Sequence, residues 1–387
     1  MAERIYFDNS ATTPLDPLVR EAMLPYLDGI FGNPSSMHTF GLEAREAVAK
    51  ARHQVATLLG ASDNEIIFTA SGTEANNLAI FGAIEALEMS DCHFITSVIE
   101  HPAVLMTCRV LAQRGVTVTY LPVTSDGIVS PDILRRTLRP NSKLVSIMAA
   151  NNVVGTIQPV AELAKITHEH GALFHCDAVQ AVGKIPFDMQ TLPIDLLSMA
   201  AHKLNGPKGV GALFVRRGVA LAPLIHGGGQ ERGLRSATEN VAGIAGFGRA
   251  AALVTTDMAT EAARTVGLRE RLLEGIFATI PGVYLIGHRY RRLPGHICLG
   301  IAGREGAAIK VLLALDDAGI AVSTGSACSA SHAGEPSYIL TAMGYDPLRA
   351  RGSLRITLGR FNTESEVDRF LEIFPRIVSG LNGVTNK

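Results

Sequence analysis

The chain has 387 residues, with 35 Lys and Arg against 36 Asp and Glu and 47% hydrophobic residues. That length suits two ordinary domains, and the balanced charge supplies neither a basic surface for nucleic acid nor a charged tail. No apolar run is long enough to span a bilayer, and the start, MAERIYFDNSATTPLD, lacks the basic-then-apolar pattern of a signal peptide, so a cytoplasmic protein with no membrane span is expected.

From about residue 60 to 215, short β-rich runs alternate with helical stretches. Strands are expected at EIIFTA (65–70), HFITSV (93–98), VTVTYL (116–121), KLVSIMAA (143–150), ALFHCD (172–177), DLLSMA (195–200) and GALFV (211–215). Most are continuously apolar rather than alternating, as a sheet covered on both faces requires. Helices are expected between them, for example at TEANNLAIFGAIEALEM and PVAELAKITHEHG. This is the pattern of an α/β domain with a mainly parallel central sheet. The spacer AHKLNGPKGV is too short for a crossover helix, so the last two strands are expected to be antiparallel. From about residue 256 the pattern changes to a helix (EAARTVGLRERLLEGIFATI), irregular strands, a helix near 305–318 and a closing strand–helix unit from Ser353. The expected organisation is a large domain over 14–255 and a smaller α+β domain built from 1–13 and 256–387.

Five cysteines, Cys92, Cys108, Cys176, Cys298 and Cys328, are scattered and form no CxxC pair. Neither a disulfide framework nor a zinc site is expected. Four lie in or beside apolar segments and read as buried small hydrophobes. Cys328 does not: it sits in VSTGSACSASHAGEPSYIL, among Gly, Ser and Ala with little to bury. A reactive thiol needs access and freedom to move, which such a segment supplies. His168, His170 and His175 straddle a helix end and a strand, so no metal site is expected there.

Three stretches carry groups that suit one chemistry. In TASGTEANNLAIFGA a strand runs into a helix opened by Ser71, Gly72 and Thr73, with Glu74 in its first turn; free N–H groups and the helix dipole make an anion site. In FHCDAVQAVGK, Asp177 falls at the C-terminal end of a strand, where open α/β sheets bind ligands, and Gln180 follows three residues later. In SMAAHKLNGPKGVGALFV, Lys203 follows another strand among small residues, Pro and Gly. A desolvated lysine at the mouth of such a sheet can form a Schiff base. A phosphate cradle, an Asp for a pyridinium nitrogen and a Schiff-base lysine are what pyridoxal 5'-phosphate asks of a protein. His101, in VIEHPAV, places an imidazole at the same sheet edge.

With these residues in place the sequence resembles the cysteine desulfurases of the class V aminotransferase family, most of all the branch serving iron–sulfur cluster and nitrogenase assembly. The resemblance runs through YFDNSATTPLDP, FGNPSSMH, SGTEANNLAI, EHPAVL, NNVVGTIQP, CDAVQAVGK, AAHKLNGPKGVGAL, HGGGQERGLRSATEN, STGSACSAS and LRITLGRF, nearly the whole chain. It implies the fold type I of pyridoxal-phosphate-dependent transferases and a homodimer. It implies that Lys203 carries the cofactor, Asp177 pairs with the ring nitrogen, Gln180 bonds the phenolic oxygen and His101 stacks on the ring beside Asn152. Thr73 and His202 would bind the phosphate, with Thr238 reaching in from a partner subunit. Arg355, helped by Asn33, would hold the substrate carboxylate.

The resemblance further implies conversion of L-cysteine to L-alanine, with Lys203 moving the Cα proton and Cys328 taking the sulfur as a persulfide. Cys328 would then deliver it to an acceptor protein such as an iron–sulfur scaffold, so a mobile tether is expected at about 326–335. Selenocysteine lyase or another class V enzyme is the alternative of the same fold. Two positions depart from the family pattern: Ala200 stands where relatives commonly carry Ser, and Val153 where they usually carry Glu. The stretch after Cys328 is also about one residue longer, with His332 and Glu335 inside it.

Overall fold

The computed structural model describes residues 4–87, 91–325 and 335–380. Cys328 and almost all of the tether expected around it lie outside the described residues. The strands, in chain order, are β1 (Ile5–Tyr6), β2 (Ile66–Thr69), β3 (His93–Ser97), β4 (Thr117–Leu121), β5 (Ser142–Ser146), β6 (Leu173–Asp177), β7 (Leu196–Ala200), β8 (Gly211–Val215), β9 (Val283–Leu285), β10 (His296–Ile301), β11 (Ile320–Ala321), β12 (Ser323–Thr324) and β13 (Leu354–Thr357).

Among the described residues a seven-stranded sheet has the order β2-β8-β7-β6-β5-β3-β4. Only β8 is reversed, antiparallel to both β2 and β7, while the other junctions are parallel. The short spacer before β8 accounts for the reversal, as expected from its length. Strands β3, β7 and β8 are buried along their whole length because hydrophobic clusters cover both faces of the sheet. Edge strand β4 differs: its Thr117 is exposed and Thr119 partly so, which suits a strand with one side unpaired.

Two elements differ from the sequence expectation. The strand expected to reach residue 150 ends at Ser146, because the Met148 N–H turns to the Glu100 carboxyl while Ile147 and Ala149 still donate to β6 carbonyls. The helix expected at 261–280 is the second half of a longer one, Val241–Thr279. Its first half is rich in glycine, a poor helix former. Packing outweighs that preference here. The helix lies against Thr39–Leu59 so closely that a Cβ on Gly248 would meet the Ala51 Cα at 2.5 Å.

The C-terminal part builds a four-stranded sheet, β12-β13-β10-β9, antiparallel throughout. The N-terminal residues pack beside it: β1 pairs in parallel with β11 as a separate two-stranded sheet, and Asp8 bridges to Thr357. Ile5 and Phe7 pack in one cluster with Leu272, Ile297, Phe370 and Phe374, separate from the clusters of the large sheet. No described helix is long and apolar enough to cross a membrane.

Candidate active site

The parallel strands of the large sheet end at a cavity of about 380 Å³, closed on its other side by the N-terminal segment and by β12 and β13. Asp177 is the last residue of β6 and is buried. Its carboxylate accepts from Asn76 Nδ2 at 2.7 Å and from the Val179 N–H at 3.1 Å. Gln180, in the turn that follows, donates from Nε2 to the Ser10 carbonyl at 2.9 Å.

Lys203 ends the single 3-10 turn Ala201–Lys203 directly after β7. Its Nζ donates to the Ser10 carbonyl and, at 2.8 Å, to the Ala11 carbonyl. The same turn carries His202, whose Nδ1 lies 3.1 Å from Thr12 Oγ1. Burial, joined by the charges of Lys203, Lys208 and Lys184, pushes the His202 imidazole down to about 4, so it is neutral at physiological pH.

Thr73 opens the helix Gly72–Ala86 after β2, and Ser71 caps it by accepting from the Glu74 N–H at 3.1 Å. The N–H groups of Gly72 and Thr73 are thereby left for a ligand at the positive end of the helix. Glu74 turns away, accepting from the Ala70 N–H and pairing with Arg235 at 2.7 Å. His101 caps the helix Pro102–Gln113, its Nδ1 accepting from the Ala103 N–H at 3.1 Å. That bond assigns the remaining proton of the neutral ring to Nε2. Burial lowers the His101 pKa; Asp177 opposes this and Lys203 adds to it.

Arg355 enters from β13 and is only 2% exposed. It pairs with Asp8 at 2.7 Å and donates to the Asn152 carbonyl at 3.1 Å. Its Nε is buried with no hydrogen-bond partner among the described residues. Thus Lys203, Asp177, Gln180, His101, Thr73, Asn152, His202 and Arg355 all line one cavity. Two expected residues do not. Thr238 lines a separate cleft with Glu231 and Arg235, and Asn33 is exposed with its Oδ1 accepting from the Ser35 N–H.

Sequence reasoning missed the residues that hold this set in place: Asp8, Ser10, Asn76 and Glu100. Asn76 follows Gly72 by one helical turn, so its spacing was a readable signal. The others act through contacts between distant segments. The two departures have a local account. Ala200 contributes a methyl to the cavity wall. Val153 is buried in an apolar cluster with Ile99, Met148, Cys298 and Leu340, where an acidic side chain would be desolvated. Cys92, Cys108, Cys176 and Cys298 are free and buried. His168, His170 and His175 each have different partners, Asp195, the Arg139 carbonyl, and Ser146 with Ser198.

Comparison with known proteins bears on this site. The family model described as aminotransferase class V matches residues 5–370. The chain belongs to the class V aminotransferase family. Within it, it falls among the cysteine desulfurases. It is 48% identical to the cysteine desulfurase IscS of Dictyoglomus turgidum over 385 residues, covering 100% of this chain and 97% of that one. A solved NifS-like protein superposes with a TM-score of 0.91 at 41% identity, covering 98% of this chain and 100% of the other. SspA in complex with cysteine superposes with a TM-score of 0.82 at 35% identity over 93% of this chain and 100% of that one. The family depends on pyridoxal phosphate, and the chain is an enzyme of the fold type I class.

Proposed function

We propose that the chain removes sulfur from L-cysteine with pyridoxal 5'-phosphate held on Lys203, and that Cys328 receives the sulfur as a persulfide. The observation that carries this is the convergence of Lys203, Asp177 and Arg355 on one cavity. The residues present suit the cofactor. A helix N-terminus faces the cavity for a phosphate, an acidic residue at a strand end for the ring nitrogen, and a lysine for the aldehyde. Two buried atoms in the wall, Asn76 Oδ1 and Arg355 Nε, have no partner of their own among the described residues.

When bound, the cofactor supplies an electron sink for the charge left at Cα. The chain's own groups do the rest. Thr73 and neutral His202 hold the phosphate, joined by Thr238 of a second copy. Asp177, braced by Asn76, keeps a proton on the ring nitrogen. His101, whose Nδ1 is held by the Ala103 N–H, would offer its Nε2–H to the bound cofactor. Arg355 forks the substrate carboxylate, and its contacts with Asp8 and Asn152 fix the fork before substrate arrives. The Lys203 amine takes the Cα proton. The Cys328 thiolate then attacks the substrate sulfur: an S–S bond forms, the C–S bonding pair goes to the substrate carbon, the proton held by Lys203 and the one from the substrate thiol complete Cα–H and the methyl group, and alanine leaves with a persulfide left on Cys328. An acceptor protein, such as an iron–sulfur scaffold, takes the sulfur next.

We further propose that the protein works in the cytosol. The domain division at 14–255 against 1–13 and 256–387 belongs to the same proposal, although the helix Val241–Thr279 runs through residue 255 unbroken. Cys328→Ser is the deciding variant. Assayed with cysteine, it should keep the yellow cofactor band and lose sulfide and alanine formation by orders of magnitude. Unchanged turnover would return the protein to the selenocysteine lyase or aminotransferase alternatives.

A further inference from the structure

Lys203 is the shared wall of two spaces, the cavity above and a second cleft of about 80 Å³ behind it. Lys184 opens into that second cleft, which Asp257 and Glu261 also line. Its Nζ donates to Gln180 Oε1 at 3.3 Å. The turn between them brings the two side chains together. Gly183 has φ +79, and a Cβ there would meet Leu204 Cδ2 at 2.5 Å, so the turn requires glycine.

Building on the cofactor assignment above, we infer that Lys184 is a positioning residue that locks the Gln180 amide in the one orientation that offers an N–H to the cofactor. An amide can sit either way round in a pocket, and its neighbours decide. Here both neighbours agree. The Ser10 carbonyl accepts from Nε2 at 2.9 Å, and Lys184 donates to Oε1. A flipped amide would set oxygen against the Ser10 oxygen in either protonation form of Lys184, and NH2 against the Lys184 ammonium when it is charged. The locked amide has one Nε2–H left over, and Gln180 lines the cavity, so a phenolic oxygen bound there receives a donor. Burial, with the charges of Lys203 and Arg355, pushes the Lys184 amine down to about 7, and either protonation form donates to Oε1.

The test uses full-length protein, stripped of cofactor and reloaded with pyridoxal phosphate. Dissociation constant and visible absorption band are measured for Lys184→Met, Lys184→Arg, Gln180→Ala and the Met/Ala double variant. Lys184→Met should bind pyridoxal phosphate roughly three- to tenfold more weakly, the loss of one oriented hydrogen bond, with a shifted band. Lys184→Arg should restore both. In the Gln180→Ala background, Lys184→Met should add nothing, since its effect runs through that amide. A wild-type band and affinity in Lys184→Met, or a full-sized effect without Gln180, overturns the inference. Lys184→Ala is read the same way should the methionine variant fail to fold. Wild-type protein that takes up no pyridoxal phosphate overturns the cofactor assignment itself, and the inference with it.

Discussion

Glu100 is fully buried beside His101, and its carboxyl accepts from Ser97 Oγ at 2.6 Å and from the Met148 N–H rather than from a cation. Burial pushes its pKa up to about 8, against the pull of those hydrogen bonds, so the folded state keeps it as an acid at neutral pH. The unfolded chain ionises it near its ordinary value of 4.5. Between those values the native state holds the extra proton, so stability is highest below the lower one and falls as pH climbs to the upper one. Glu100→Gln should flatten that fall; urea midpoints at pH 5 and pH 8 would then differ less than in wild type. A parallel fall in both proteins would show that Glu100 is not the group responsible. The carboxyl also takes the Met148 N–H out of the strand ladder, which no propensity of KLVSIMAA foretells. Lys203, Asp177, Gln180 and His101 were legible because strand-end position and residue type speak together. Asp8 was not, because only the crossing of β13 beside the N-terminal segment gives it a partner.

The closing helix Glu364–Gly380 shows what pattern does determine. Val367, Phe370, Phe374 and Val378 recur at helical spacing, and all four are buried. Phe374 is fully buried, with its ring centroid 4.9 Å from that of Phe370. Phe374→Ala should cost about 3–5 kcal/mol of stability, read from urea unfolding of the loaded protein. A loss below about 1 kcal/mol would mean that this face is not core. The helix Val241–Thr279 shows the opposite case. Its glycines argue against a helix when taken locally. Only the neighbouring helix, close enough to exclude a Cβ at Gly248, turns them into an advantage.

At the scale of the whole molecule, one chain leaves the proposed site short of Thr238 and leaves apolar groups in water. Phe31 and Phe40 stack at 5.5 Å, exposed, and Met37 is 92% exposed. These side chains suit a face covered by a second copy, which would also bring the partner's groups to the site. Met37→Asp should therefore shift the protein toward monomer in sedimentation velocity and weaken pyridoxal phosphate binding in parallel. A variant that sediments as the wild type does would remove this face from the proposed interface.

By itself the sequence determined most of the strands, the reversed one among them, and which polar residues stand at the strand ends that meet at the cavity, because each depends on residues close together in the chain. The tertiary structure alone decided which groups brace them. Asn76 on Asp177, Asp8 on Arg355, the Ser10 carbonyl under Lys203 and Gln180, and the acid form of Glu100 all arise where separate segments exclude water. Hydrogen bonding and ionisation answer to the local dielectric and to neighbours in space, and a linear pattern carries neither.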